Sequence, residues 1–177
     1  MKKSEIPRGF NPNISMPAYL IRKRILQGIQ NNIHNMSGHM LDFGCGSKPY
    51  KSLFNVSSYV GLDFQGDGHS HENEQIDVYY DGKTIPFPDN HFDCVFSTEV
   101  FEHVFNLDVV LTEINRVMKK DSLILITCPF AICEHEVPND FARYSSYALK
   151  HIMEQNDFEV VHFEKLGNSI EAITQLW

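Results

Sequence analysis

Three carboxylates and two glycines carry the chemistry that this chain shows first. Asp42 opens Asp42-Phe43-Gly44-Cys45-Gly46, Asp63 sits in Gly61-Leu62-Asp63-Phe64, and Asp81 stands in Tyr79-Tyr80-Asp81-Gly82. Each follows a short apolar run. A carboxylate accepts hydrogen bonds from hydroxyl and amino groups, and glycine lets a ligand approach bare main chain. Asp63 lies 21 residues beyond Asp42. That is close to the ~20-residue spacing at which an acid after the second strand of a nucleotide-binding sheet holds ribose hydroxyls. Ser47-Lys48-Pro49 reads as the start of a short helix whose free N–H groups favour a carboxylate or phosphate. A glycine turn, a ribose acid and a third acid describe a nucleoside pocket. The dinucleotide pattern GxGxxG is broken where Pro49 replaces its third glycine. A nucleoside without phosphates therefore fits better than a nicotinamide dinucleotide.

Such groups need a sheet to hold them, and the hydrophobic pattern supplies one. Strands are expected at His39–Phe43, Tyr59–Phe64, Ile76–Tyr79, Asp93–Ser97, Leu123–Cys128 and Phe158–Phe163. Several carry apolar residues on consecutive positions, as strands covered on both faces do. Helical spacing runs from Pro17 through Ile33, and again from Asn106, an expected cap, through Leu107, Val110, Leu111, Ile114 and Val117. Another helix starts at Ser145 or Ser146. Strands alternating with helices imply an α/β domain with a mostly parallel sheet. Residues 1–16 read as an irregular arm and 17–177 as a single domain.

The bulk numbers exclude several classes. The 177 residues suffice to bury roughly two-thirds of the surface the unfolded chain exposes, so no staple is needed. The net charge of −8 is uneven: six basic residues and one acid through Leu41, then nine basic and 22 acidic from Asp42 onward. An acidic main body repels nucleic-acid phosphates. Arg22-Lys23-Arg24 reads as a solvated helix face. No apolar run approaches the ~18 residues of a membrane span. The four cysteines form no CxxC pair and suit a reducing cytoplasm. Cys133 and His135 are too few for a zinc site, so no metal is expected. His69 and His71 read as a solvated loop.

The motifs in order, LDFGCGSKPY, GLDF, DGKTIPFPDNHFDCVFSTEVFEHV and LTEINRVMKKDSLILITCPF, resemble those of class I S-adenosylmethionine-dependent methyltransferases, in particular the type 11 group. The resemblance runs from about His39 to Gly167. It implies a Rossmann-like sheet of order 3-2-1-4-5-(7)-6 with helices on both faces; the chain departs from that pattern after Lys165, where Asn168–Trp177 reads as a helix fragment in place of the seventh, antiparallel strand. It implies that Asp42, Gly44 and Gly46 hold the methionine end of S-adenosylmethionine, that Asp63 takes the ribose hydroxyls, and that Phe64 lies against the adenine. Asp81 and Gly82 would meet the adenine edge, while Ser97, Thr98 and Glu99 border the methyl group. Lys48 stands where many members carry another glycine.

Methyl transfer from a sulfonium needs positioning and water exclusion, with a base only if the acceptor carries a proton. His103 is the best base candidate, followed by Glu99 and His135. The long aromatic and charged stretch from Pro129 to Tyr144 suits an acceptor wall. The expected acceptor is a small molecule or saccharide, and an exposed C-terminal sheet edge at Phe158–Phe163 suits a homodimer. Blander readings stand beside these: Asp42 and Asp81 as turn residues, Phe64 as core, His103 as a cap. A non-catalytic cofactor-binding module and a nicotinamide-dependent oxidoreductase are the alternative functions.

Overall fold

The consecutive apolar positions of the strands demand cover on both faces, and the computed structural model shows it. It describes residues 6–16, 18–66 and 74–176; His69, His71, Pro17 and Trp177 lie outside them. Strands β1 (His39–Phe43), β2 (Ser58–Phe64), β3 (Val78–Tyr80), β4 (Phe92–Thr98) and β5 (Met118–Thr127) form one sheet of order β3-β2-β1-β4-β5. All four pairings are parallel. Helices α1 (Tyr19–Asn32), α2 (Leu107–Val117), α3 (Ser146–Gln155) and α4 (Ser169–Leu176) accompany the sheet, with short 3₁₀ turns at Ile33–Asn35, Lys51–Leu53 and Phe101–His103.

Successive strand residues serve opposite faces. Leu41, Phe43 and Val95 join Leu111 and Ile114 of α2 in one core. Met40, Cys94 and Phe96 join Ile25 and Ile29 of α1 in the other. Because every pairing is parallel, β1, β2, β3 and β4 all end at the same edge of the sheet. That edge carries Phe43, Phe64, Tyr80 and Thr98, and it is where a parallel sheet binds ligands.

Two expectations give way. Phe158–Phe163 is not a strand. Phe158 and Val160 pack against the core while Val161 and Phe163 are exposed, but the segment joins no ladder. Alternating burial needs only an extended chain, whereas a strand also needs a hydrogen-bonded neighbour. The segment runs instead toward α1, where Leu166 lies against Gly28 and Arg24 pairs with Glu171 at 2.6 Å. The sheet therefore ends at β5 on that side, and the edge expected at Phe158–Phe163 for a homodimer is absent among the described residues. Asn106 does precede α2, but its side chain donates to the Gly82 carbonyl at 3.0 Å and does not cap the helix.

The IPFPD motif is a structural clamp. Arg116 of α2 donates to Ile85 O at 2.9 Å, Phe87 O at 2.8 Å and Asp89 Oδ1 at 2.8 Å, and it pairs with Glu113 at 2.7 Å. Glu113 in turn accepts from the Ile85 N–H at 2.9 Å. Removing this fork strands two carbonyls and a half-buried carboxylate. Arg116→Ala should lower stability by roughly 2–3 kcal/mol, read as a lower urea midpoint. A loss below about 0.5 kcal/mol, the range of ordinary surface changes, would sink the clamp reading.

Candidate cofactor pocket and active site

β1 leaves the sheet through a turn that only glycine accepts easily. Gly44 has φ +70°, and a Cβ there would stand 2.4 Å from Val100 Cγ2. Gly46 has φ +44°, and a Cβ would meet nothing closer than Glu74 Oε1 at 3.6 Å, so its main chain faces open space. Lys48 itself takes a left-handed backbone, φ 54°, which is how it fills a position that suits glycine. Its stem is buried and its Nζ reaches Asp77 Oδ2 at 2.6 Å; the same oxygen accepts from Gly61 N at 2.7 Å. The helix expected after Pro49 is only a 3₁₀ turn at Lys51–Leu53.

Eight of the expected site residues line one cavity of about 580 Å³: Gly44, Gly46, Asp63, Phe64, Gly82, Thr98, Glu99 and His103. Asp63 holds the glycine turn, its Oδ2 accepting from Gly46 N at 2.7 Å and its Oδ1 from Phe64 N at 2.8 Å. Asp81 lines an adjoining cavity of about 640 Å³ together with Phe64 and Tyr80. Its Oδ1 accepts from the N–H groups of Thr84 and Lys83 at 2.7 and 2.8 Å, which hold the carboxyl below the usual carboxylate range.

Asp42 and Ser97 line neither cavity. Asp42 is 3% exposed and accepts from the Tyr59 hydroxyl; burial pushes its pKa up to about 7 against that bond. Ser97 is fully buried and its Oγ makes no hydrogen bond.

The far end of the cavity is built from the segments after β4 and β5. Glu99 has φ +55° and accepts from Thr127 Oγ1 at 2.8 Å; burial raises its pKa, partly offset by that bond. Thr127 also shares a 2.7 Å hydrogen bond with Thr98. His103 Nδ1 lies 2.7 Å from Asn139 O. A carbonyl only accepts, so Nδ1 carries a hydrogen, and in the neutral ring the lone pair is on Nε2. Behind it Glu102 is fully buried, and burial, then the charge of Glu99, push its pKa up to about 8. Its main-chain carbonyl accepts from Phe141 N at 2.8 Å, tying the expected acceptor wall to the end of β4. In that wall Asp140 pairs with Arg143 at 2.5 Å, which holds the Asp140 carboxyl well below the usual range.

Sequence reading missed the contribution of the N-terminal segment. Arg22, Ile25 and Phe10 line the cavity, with the Arg22 guanidinium 4.5 Å from the Phe10 ring centre. Arg22 thus faces the site and is not part of a solvated helix face; nothing in a run of three cations marks which one turns inward. Glu102 was also missed, although an acid inside the apolar Val100-Phe101-Glu102-His103-Val104 is a signal that could have found it.

Comparison with known proteins bears on the same residues. Residues 41–126 match the family described as "Methyltransferase domain". A fatty-acid O-methyltransferase of Mycolicibacterium smegmatis is 30% identical over 147 residues, covering 76% of this chain and 53% of its own. The chain thus spans about half the length of that curated relative. A SAM-dependent methyltransferase from Archaeoglobus fulgidus superposes with TM-score 0.58 at 22% identity, over 79% of this chain and 68% of the other. Phosphoethanolamine N-methyltransferase 2 of Haemonchus contortus, solved in complex with S-adenosyl-L-methionine, does so with TM-score 0.53 at 19% identity, over 76% and 36%. These two structures speak for the fold. With the sheet order, the matched residues 41–126 form a methyltransferase domain of the class I S-adenosylmethionine-dependent kind.

Proposed function

We propose that the chain binds S-adenosylmethionine along the ends of β1, β2 and β4 and passes its methyl group to an oxygen of a small-molecule acceptor. The observation that carries this reading is one cavity lined together by Gly44, Gly46, Asp63 and Gly82 and by Glu99 and His103. At about 580 Å³ it lies within the ordinary size of a small-molecule site. The open main chain at Gly46 and the Asp63 carboxylate beside it fit an amino-acid tail and a ribose.

When bound, S-adenosylmethionine supplies a methyl carbon that an acceptor oxygen takes by in-line displacement, the S–C electron pair staying on sulfur. Asp63 holds the ribose and Phe64 lies along the adenine. Asp81 and Gly82 face the adenine edge, and Gly44 and Gly46 face the amino-acid end. Asp42 and Ser97 support those strand ends from behind. Thr98 and Glu99 border the methyl group, and His103 presents its Nε2 lone pair to the acceptor. The exposed rings of Phe105 and Phe141 line the same mouth, their centres 5.3 Å apart, and suit an acceptor with an apolar body. The relative that acts on a fatty acid supports a carboxylate as the accepting oxygen, which is already ionised at neutral pH.

The test is transfer of labelled methyl from S-adenosylmethionine to fatty acids of graded length, beside hydroxylated and saccharide acceptors. Product from an acyl chain carries the reading. Tight S-adenosylhomocysteine binding with no product on any acceptor favours a non-catalytic binding module. For assembly, the proposal moves with the edge: a second copy would pair along β5, and a monomeric sedimentation profile at high concentration overturns that. No helix among the described residues is long and apolar enough to cross a membrane. A reducing cytoplasm is the proposed setting because all four cysteines are free; disulfides in protein isolated without reductant would contradict it.

A further inference from the structure

Glu102 poses a problem that methyl transfer alone does not solve. Its side chain is fully buried and neither carboxyl oxygen makes a hydrogen bond. Buried polar groups are almost always satisfied, and a carboxyl left without a hydrogen-bonding partner calls for a ligand or an ion. Two imidazoles lie close to it, His103 Nε2 standing 3.6 Å from Glu102 Oε1. Glu102, His103 and His135 each offer one ligand atom, and all three atoms lie within 4.8 Å of one another.

Two of the separations lie near those between ligands of one ion. Ligands about 2.1 Å from a tetrahedral cation stand about 3.4 Å apart. His103 Nε2 is 3.6 Å from Glu102 Oε1 and 3.4 Å from Glu136 Oε2, too far for good hydrogen bonds and near that spacing. Both rings are also oriented from behind, as ligating histidines are. His103 Nδ1 lies on the Asn139 carbonyl at 2.7 Å. His135 Nδ1 lies 3.2 Å from the Cys133 carbonyl and 3.4 Å from Asp140 Oδ2, acceptors that Arg143 shares. Hydrogen on His103 Nδ1 leaves that neutral ring its Nε2 lone pair, and His135, whose Nδ1 lies 3.2 Å from the Cys133 carbonyl and 3.4 Å from Arg143 Nη2, offers a second ring nitrogen to the cluster. The carboxyl groups of Glu99, Glu102, Glu136 and Asp140 gather around the cluster, with the cations Arg143 and, beside Glu99, Arg22 among them; a bound cation would favour the ionised form of the buried Glu102.

We propose that Glu102, His103 and His135, with Glu136 at the rim, bind one divalent transition cation at the acceptor end of the cavity. Two imidazoles and a carboxylate suit zinc, cobalt, manganese or iron(II) rather than magnesium or calcium. His103 and His135 line the cavity, so the ion would face it and could orient an acceptor's oxygen. His103 then serves as a ligand, its lone pair being engaged.

The experiment uses the full chain, stripped with chelator and titrated with Co²⁺, whose visible d–d absorption reports nitrogen and oxygen ligation. About one Co²⁺ per chain should bind, and Zn²⁺ should displace it. His135→Gln and Glu102→Gln should each weaken binding at least ~10-fold, whereas His151→Gln, on the exposed side of α3, should not. Thermal unfolding of each variant shows that it is folded; if Glu102→Gln is not, His135→Gln decides. A Co²⁺ spectrum or affinity that survives His135→Gln, or no binding by the parent chain, overturns the site. S-adenosylhomocysteine calorimetry on the same samples reads the cofactor pocket separately, so failure of the cation site and failure of the methyltransferase reading are distinguishable.

Discussion

Asp63→Ala is expected to lose about 100-fold or more in affinity for S-adenosylhomocysteine. Two ribose hydroxyls donating to one carboxylate make charge-assisted bonds worth roughly 1.5–3 kcal/mol each, and about 2.7 kcal/mol already corresponds to 100-fold. The variant also frees the Gly46 N–H, which Asp63 Oδ2 holds at 2.7 Å, so the glycine turn loses its anchor. These two effects can be separated. Asp63→Asn keeps one carbonyl oxygen for the turn or for a hydroxyl but gives up the charge, and it should fall between parent and alanine. Isothermal calorimetry on the three proteins reads the series, with urea unfolding as the check that each is folded. An alanine variant within threefold of the parent would remove Asp63 from the ribose.

The second expectation concerns Asp42 and pH. Its folded pKa is raised to about 7 from an ordinary 3.8, with burial as the largest cause. A carboxyl raised in the folded state binds more protons there than in the unfolded chain. Its stabilising contribution is therefore complete below about pH 4 and is lost as pH rises through about 7. A shift of about three units corresponds to roughly 4 kcal/mol at most. The groups facing it are the Tyr59 hydroxyl, Asp63, Lys48 and Asp77; Asp63 and Asp77 push in the direction of burial, and Tyr59 and Lys48 oppose it. Asp42→Asn keeps an acceptor for Tyr59 and cannot ionise. Relative to the parent it should gain stability steadily between pH 4 and 8. Parallel stability curves for the two proteins across that window would show that Asp42 does not titrate there. The same variant, assayed for S-adenosylhomocysteine, tests the amino-acid contact that the family resemblance implies for Asp42.

Local chemistry made much of this legible in advance. A left-handed turn needs glycine, so Gly44-Cys45-Gly46 marked where β1 ends. An acid 21 residues further on marked the end of β2, and the register Asp42↔Gly61 and Asp63↔Tyr79 places those ends side by side. Helical periodicity located α1 and α2, because one apolar stripe must meet the sheet. The same reasoning overreached at Phe158–Phe163, since period-two burial records an extended chain and says nothing of a partner strand.

Sequence alone determined the parallel α/β sheet, the glycine turn and the acids at its strand ends, since these depend on backbone sterics and short-range pattern. Tertiary structure decided what lies far apart along the chain. It turned Arg22 of α1 inward and carried Glu102 into the interior. It also brought His135, 32 residues beyond His103, to a ring-centre distance of 4.9 Å. The reason is physical: side-chain direction across a loop depends on which surfaces fold over it, and no local spacing encodes that.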